Sequence, residues 1–270
     1  MTTLKTRMIT ALSLLAVTGL MIWLGGVVFT FFILLSLGIC GWEWGRLFSK
    51  DGYRANSIVL VLGITGVVLS KNHLIPIEIN TMTLVILLLC VLVSMKQYEL
   101  GDEKAPINLL VMVTGVLYIG YLGAGFITIR SFQNGDIWLS FIIMNTGIGD
   151  SGAYFIGSRW GKHKIEKRIS PDKSWEGYLG GVVSSFLFSI LFGFFWHDLF
   201  MMKIYQIALF GTVLYGIVPV GDFVISMIKR SAGVKNTSKL LPGHGGFLDR
   251  IDTHLWAAAI GAIWIQIITG

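Results

Sequence analysis

Residues 178–197 read Tyr178-Leu-Gly-Gly-Val-Val-Ser-Ser-Phe-Leu-Phe-Ser-Ile-Leu-Phe-Gly-Phe-Phe-Trp-His197, a run without one Asp, Glu, Lys or Arg. About 20 such residues form a helix that spans the hydrocarbon core of a bilayer. There, helices and closed barrels alone satisfy every backbone polar group. Comparable runs lie at 8–24, 27–42, 57–74, 81–95, 106–129 and 137–157, and after it at 204–228 and 251–269. The pattern predicts an all-α protein: a polytopic integral membrane helical bundle of about nine transmembrane helices. Composition agrees, with 54% hydrophobic and 13% charged residues against about 25% charged in soluble domains. Folded in water, such a chain would expose large apolar patches.

The N-terminus, Lys5 and Arg7 followed by apolar residues from Met8, is similar to a signal peptide. The apolar stretch continues to Cys40 with only Gly25 and Gly26 dividing it, and we read it as a retained first hairpin. Cys40 and Cys90 sit inside apolar runs without ligand spacing and are read as buried small hydrophobes. With a cytoplasmic N-terminus, 18 of the 21 Lys and Arg residues fall in inside segments, Lys50 among them, leaving Lys71, Arg130 and Lys203 outside. The net charge of +6 therefore reflects sidedness. Basic inner loops attract anionic head groups and phosphates, while a compact basic domain with stacking aromatics, as nucleic acid would require, is missing from the pattern. By motif content the chain divides into N-terminal transmembrane helices (1–105) and a C-terminal transmembrane region (106–270) that carries the polar motifs.

Carboxylates within apolar segments are costly and mark functional sites or interhelical partners. Asp150 lies in Thr146-Gly-Ile-Gly-Asp-Ser-Gly-Ala-Tyr-Phe155, and Asp222 in Val218-Pro-Val-Gly-Asp-Phe-Val-Ile-Ser226. Glycines beside each Asp permit close approach of a helix or ligand. An interhelical hydrogen bond or salt bridge that only holds the bundle is the competing account of both. A second polar feature follows: Lys229, Arg230, Lys235 and Lys239 precede Pro242-Gly-His-Gly-Gly246, after which Asp249, Arg250 and Asp252 open the last helix. Glycines that bare backbone N–H groups beside cations suit a phosphate, and neighbouring carboxylates suit a divalent cation bridging phosphate oxygens. Simple capping, with Asp249 as N-cap and Asp252 at the third helical position, competes with that reading. A third stretch, 158–177, is basic and ends with Ser170, Lys173 and Ser174 just before the next span, a further anion site.

The segment from Ser226 to Asp252 resembles the signature of the phosphatidate cytidylyltransferase (CDP-diacylglycerol synthase) family. The match runs through Ser226, Ile228-Lys229-Arg230, Lys235, Ser238, Leu241-Pro242, His244-Gly245-Gly246 and Asp249-Arg250-Ile251-Asp252. Gly149 to Tyr154 and Ser170 to Gly177 are similar to family segments at the family's spacing. The likeness is dense over about 145–256 and thin before it. Two positions depart from the family pattern: Asn236 stands where Asp is usual, and Ile225 where Glu is usual.

The resemblance implies that CTP and phosphatidate give CDP-diacylglycerol and pyrophosphate at the cytoplasmic face of a bacterial inner membrane. It implies Mg2+ held by Asp222, Asp249 and Asp150, and a second cation site weakened by the two departures. Lys229, Arg230 and His244 would act with Asp222 and Asp249 in catalysis. Lys173, Ser174, Lys235, Gly245, Gly246, Arg250 and Asp252 would hold substrate. Expected partners are CTP, phosphatidate and membrane lipid, with no nucleic acid and a homodimer left open. A CTP-dependent enzyme acting on another lipid phosphate or a polyprenol, and a non-catalytic lipid-binding or transport relative, are the alternatives.

Overall fold

A computed structural model describes residues 4–49, 52–200 and 202–269; Lys50 and the side chain of Arg7, both counted above as inside cations, lie outside the described residues. Helices follow one another as α1 (Leu4–Leu24), α2 (Gly26–Ser49), α3 (Ser57–Lys71), α4 (Ile79–Glu99), α5 (Ala105–Gly115), a π-helical turn (Val116–Tyr121), α6 (Leu122–Ser131) and α7 (Gly135–Trp160). After a hairpin of β1 (Lys164–Glu166) and β2 (Ser170–Ser174) come α8 (Trp175–Phe200), α9 (Ile204–Ile217), α10 (Val220–Ser231) and α11 (Leu248–Thr269).

Eight of the nine apolar runs fall on a helix or an unbroken helical stretch, the third overrunning α3 by three residues, and the run 204–228 is divided between α9 and α10 at Val218 and Pro219. Six of these are long and apolar enough to cross a membrane: Gly26–Ser49, Ile79–Glu99, Ala105–Ser131, Trp175–Phe200, Ile204–Ser231 and Leu248–Ile268. Met8–Leu24 and Ser57–Lys71 are apolar but shorter. In α4 only 17% of the apolar window is buried within the protein. A helix that is apolar all round and so little covered is solvated by lipid, not water. The protein is an integral membrane helical bundle. Two boundaries differ from expectation. Helix α2 continues to Ser49, past the end of its apolar run at 42, because Gly41, Trp44, Gly45 and Leu47 remain buried and packing continues the helix. The stretch 158–177, expected as a loop, gives its ends to α7 and α8 and folds 164–174 into the antiparallel hairpin, pairing Lys164 with Ser174 and Glu166 with Ser170.

The chain packs as two compact units: residues 1–128 with 231–251, and residues 129–230 with 252–270. This grouping follows packing, whereas the division at 105/106 followed motif content. In the first unit α2 lies against α3, with Ile64 and Leu60 filling the space beside Gly41 and Gly45. Trp44 of α2 donates its indole N–H to the Val111 carbonyl of α5 at 3.0 Å. In the second unit α7, α8 and α9 are tied by a buried polar network. Asn145 donates to Ser189 at 2.8 Å, and Ser185 donates to both Asn145 (2.9 Å) and the Gly211 carbonyl (2.8 Å). Interhelical bonds of this kind join helices that the surrounding lipid gives no hydrophobic reason to associate.

Candidate active site

In the second unit the acids gather at the start of α10. Asp222 occupies its first turn, where the helix dipole favours a negative group. Strand β2 brings Lys173, whose Nζ lies 2.5 Å from Asp222 Oδ2 and 4.3 Å from the centroid of the Phe223 ring. Ser226, one turn on, donates to Asp222 Oδ1 at 3.1 Å. The carboxyl of Asp252, itself buried, faces that of Asp222 at hydrogen-bonding range, and the buried Lys229 stands within electrostatic reach of both. Arg230 Nε donates to the Ile169 carbonyl at 3.3 Å, fastening the hairpin turn to α10. Ser174 accepts the Gly177 N–H at 3.2 Å and so caps α8. Asp150 accepts a hydrogen bond from the Tyr215 hydroxyl at 3.1 Å. The neighbouring Gly149 has no room for a side chain, because a Cβ there would overlap the Tyr215 ring.

Two carboxyls that face one another, one buried and one half-buried, need a positive charge or a shared proton between them. Mg2+ is commonly bound through one or two carboxylates, waters and substrate phosphates, so the Asp222–Asp252 pair fits such an ion. Among the described residues no three His, Cys, Asp or Glu side chains converge as a metal-binding group.

In the first unit the motif loop is built around two carboxylates. Leu241 to His244 form a tight turn, with the His244 N–H on the Leu241 carbonyl at 3.0 Å. Pro242 is followed by Gly243 at φ +78°, the pairing that a type II turn requires. Gly245 also has positive φ. Asp249 Oδ2 accepts the Thr237 N–H at 2.9 Å and the Gly246 N–H at 3.0 Å. Its carboxylate thus binds the loop, and the capping-box arrangement does not form. The cap of α11 comes from elsewhere. Glu43 on α2 accepts the N–H groups of Phe247 (2.9 Å) and Leu248 (2.7 Å). It also accepts the Ser238 hydroxyl at 2.5 Å and shares the Thr237 hydroxyl, 2.9 Å away, with Asp249. Glu43 is completely buried. Each hydrogen bond to a charged group contributes about 1.5–3 kcal/mol, and that set is what permits a carboxylate there. A Cβ on Gly246 would collide with Thr237 Oγ1 and both Glu43 carboxylate oxygens, so the second glycine makes room for Glu43.

Lys235 and Arg250 are exposed. Lys235, Asn236 and Lys239 line a cleft of about 720 Å³ with Trp42 and Arg46 of α2. His244 Nδ1 is buried and has no hydrogen-bond partner among the described residues. Sequence reasoning missed Glu43. Its signal was an acid between glycines, Gly41-Trp-Glu-Trp-Gly45, as at Asp150 with Gly149 and Gly152.

A membrane bundle with acids, bases and a glycine turn at its helix ends has the parts for chemistry on lipid phosphates, and the sequence says which kind. The profile of the cytidylyltransferase family matches residues 5–268, so the chain belongs to that family. A phosphatidate cytidylyltransferase of Pseudomonas aeruginosa is 31% identical over 277 residues, covering 96% of this chain and 99% of its own. One from Haemophilus influenzae is 30% identical over 254 residues (90% and 84%), and one from Thermotoga maritima 32% over 181 residues (64% and 66%).

Proposed function

We propose that the protein transfers the cytidylyl group of CTP to phosphatidate, giving CDP-diacylglycerol and pyrophosphate. A phosphate oxygen of phosphatidate attacks the α-phosphorus of CTP; that P–O bond forms while the bond to the β-phosphate bridge breaks and pyrophosphate leaves. Because the lipid supplies the nucleophile, the protein's work is positioning and neutralisation of phosphate charge. The observation that carries this reading is the Asp222–Asp252 pair with Lys173 and Lys229 around it.

Asp222 and Asp252 would hold Mg2+, which supplies charge neutralisation at phosphate oxygens, with Asp150 as a further acid of the second unit; Asp249 acts from the motif loop. Lys173, Lys229 and Arg230 bind phosphate. Lys235 and Arg250 do the same from the motif loop, and His244, with its unsatisfied buried Nδ1, donates to a phosphate oxygen. Ser174 sets the start of α8 behind Lys173. The cation distribution supports nine crossings with the N-terminus and the site on the cytoplasmic side of an inner membrane. The test is radiolabelled CTP with phosphatidate and Mg2+ on purified protein in detergent. Labelled CDP-lipid is expected, dependent on both substrates and lost on chelation. Binding of phosphatidate without turnover would instead favour the non-catalytic reading, to which Asn236 and the buried Ile225 lend weight. Light scattering on the same preparation distinguishes monomer from homodimer.

A further inference from the structure

The buried acid that the reaction scheme leaves unused is Glu43. It sits on α2, far outside the Ser226–Asp252 signature, and its partners lie 194 to 205 positions away. Both of its oxygens are engaged: Oε1 by Ser238 Oγ and Phe247 N, Oε2 by Thr237 Oγ1 and Leu248 N. Two of these donors are backbone N–H groups at the start of α11, which otherwise lack helical acceptors and carry the positive end of the dipole. The other two belong to the stretch that lines the cleft with Trp42, Arg46, Lys235 and Lys239. A neutral amide could not replace Glu43, since it offers one acceptor oxygen and would turn an NH2 toward N–H donors.

We propose that Glu43 is a positioning residue for cytidylyl transfer: by capping α11 and binding Thr237 and Ser238, it holds the 235–250 loop in the form that receives the nucleotide's phosphates. The proposal rests on the reading of the protein as a CTP-dependent transferase, and the test separates the two. With the full chain in detergent and Mg2+, Glu43→Gln raises the KM for CTP at least tenfold and leaves the KM for phosphatidate within twofold. Hydrogen–deuterium exchange of the amides in 236–249 accelerates at least tenfold in the same variant. Unchanged CTP kinetics with unchanged exchange overturn the proposal. So does an equal loss for both substrates with a lowered melting temperature, which marks general destabilisation. If Glu43→Gln fails to accumulate, Ser238→Ala removes a single donor, and a two- to threefold rise in KM for CTP at unchanged melting temperature is expected; an unchanged KM overturns the proposal. Should the wild type form no CDP-lipid, the transferase reading fails. The exchange arm then still decides whether Glu43 orders the loop.

Discussion

Glu43 and Asp252 are both buried carboxylates near glycines, yet their surroundings differ in kind. Around Glu43 the contacts are neutral N–H and O–H donors that occupy both oxygens. Asp252 faces a second carboxyl, with the Lys229 ammonium in reach. The first arrangement is complete in itself, because every lone pair that geometry allows is taken by the fold. The second is balanced by mobile countercharge, since a lysine can be exchanged for a metal ion or drawn to a phosphate without unfolding anything. Hydrogen bonds from neutral groups mark a carboxylate that shapes; opposed charges mark one that acts. Asp249 combines features of both. One of its oxygens binds the loop, while the resemblance gives it a part in the reaction.

Asp249→Asn offers the sharpest break, and the largest effect. The amide oxygen can still accept from Thr237 and Gly246, so the variant inserts and accumulates as the wild type does. CTP-dependent formation of CDP-lipid is abolished if the charge matters. Turnover near the wild-type rate would move Asp249 wholly to the shaping side. Next comes Asp252→Asn, for which turnover drops by about 10²–10³, the usual cost of removing one electrostatic group from a site. Its melting temperature holds or rises as like-charge repulsion is relieved. A clear fall in melting temperature with activity retained would place Asp252 beside Glu43 instead. The smallest effect is expected from Asn236→Asp, which restores the charge usual in the family at an exposed position. Activity stays the same or rises a few-fold in steady-state assays, whereas a large loss would mean that this protein depends on the amide.

Much of this architecture was legible from local pattern. Long apolar runs stand out because lipid demands uninterrupted helices, and Asp222 stood out because a charge inside such a run is expensive. The basic loop and its glycines were visible for similar reasons. What escaped was non-local. Glu43 follows an apolar run and reads there as an interfacial residue; only the fold brings residues 237–248 to it. The facing of Asp222 and Asp252 likewise depends on packing that spacing does not encode. The hairpin was missed because strands of three and five residues are too short to show alternation.

Residues 231–251 form one compact unit with the first 128 residues. The glycine-containing loop of the signature and the N-terminal helices are therefore one packed body. Exchanging the first third of this chain for that of a distant relative would hand the loop to an unfamiliar keeper, even though every signature residue stayed in place. The N-terminal helices are then a place from which the enzyme can be retuned without touching its motif.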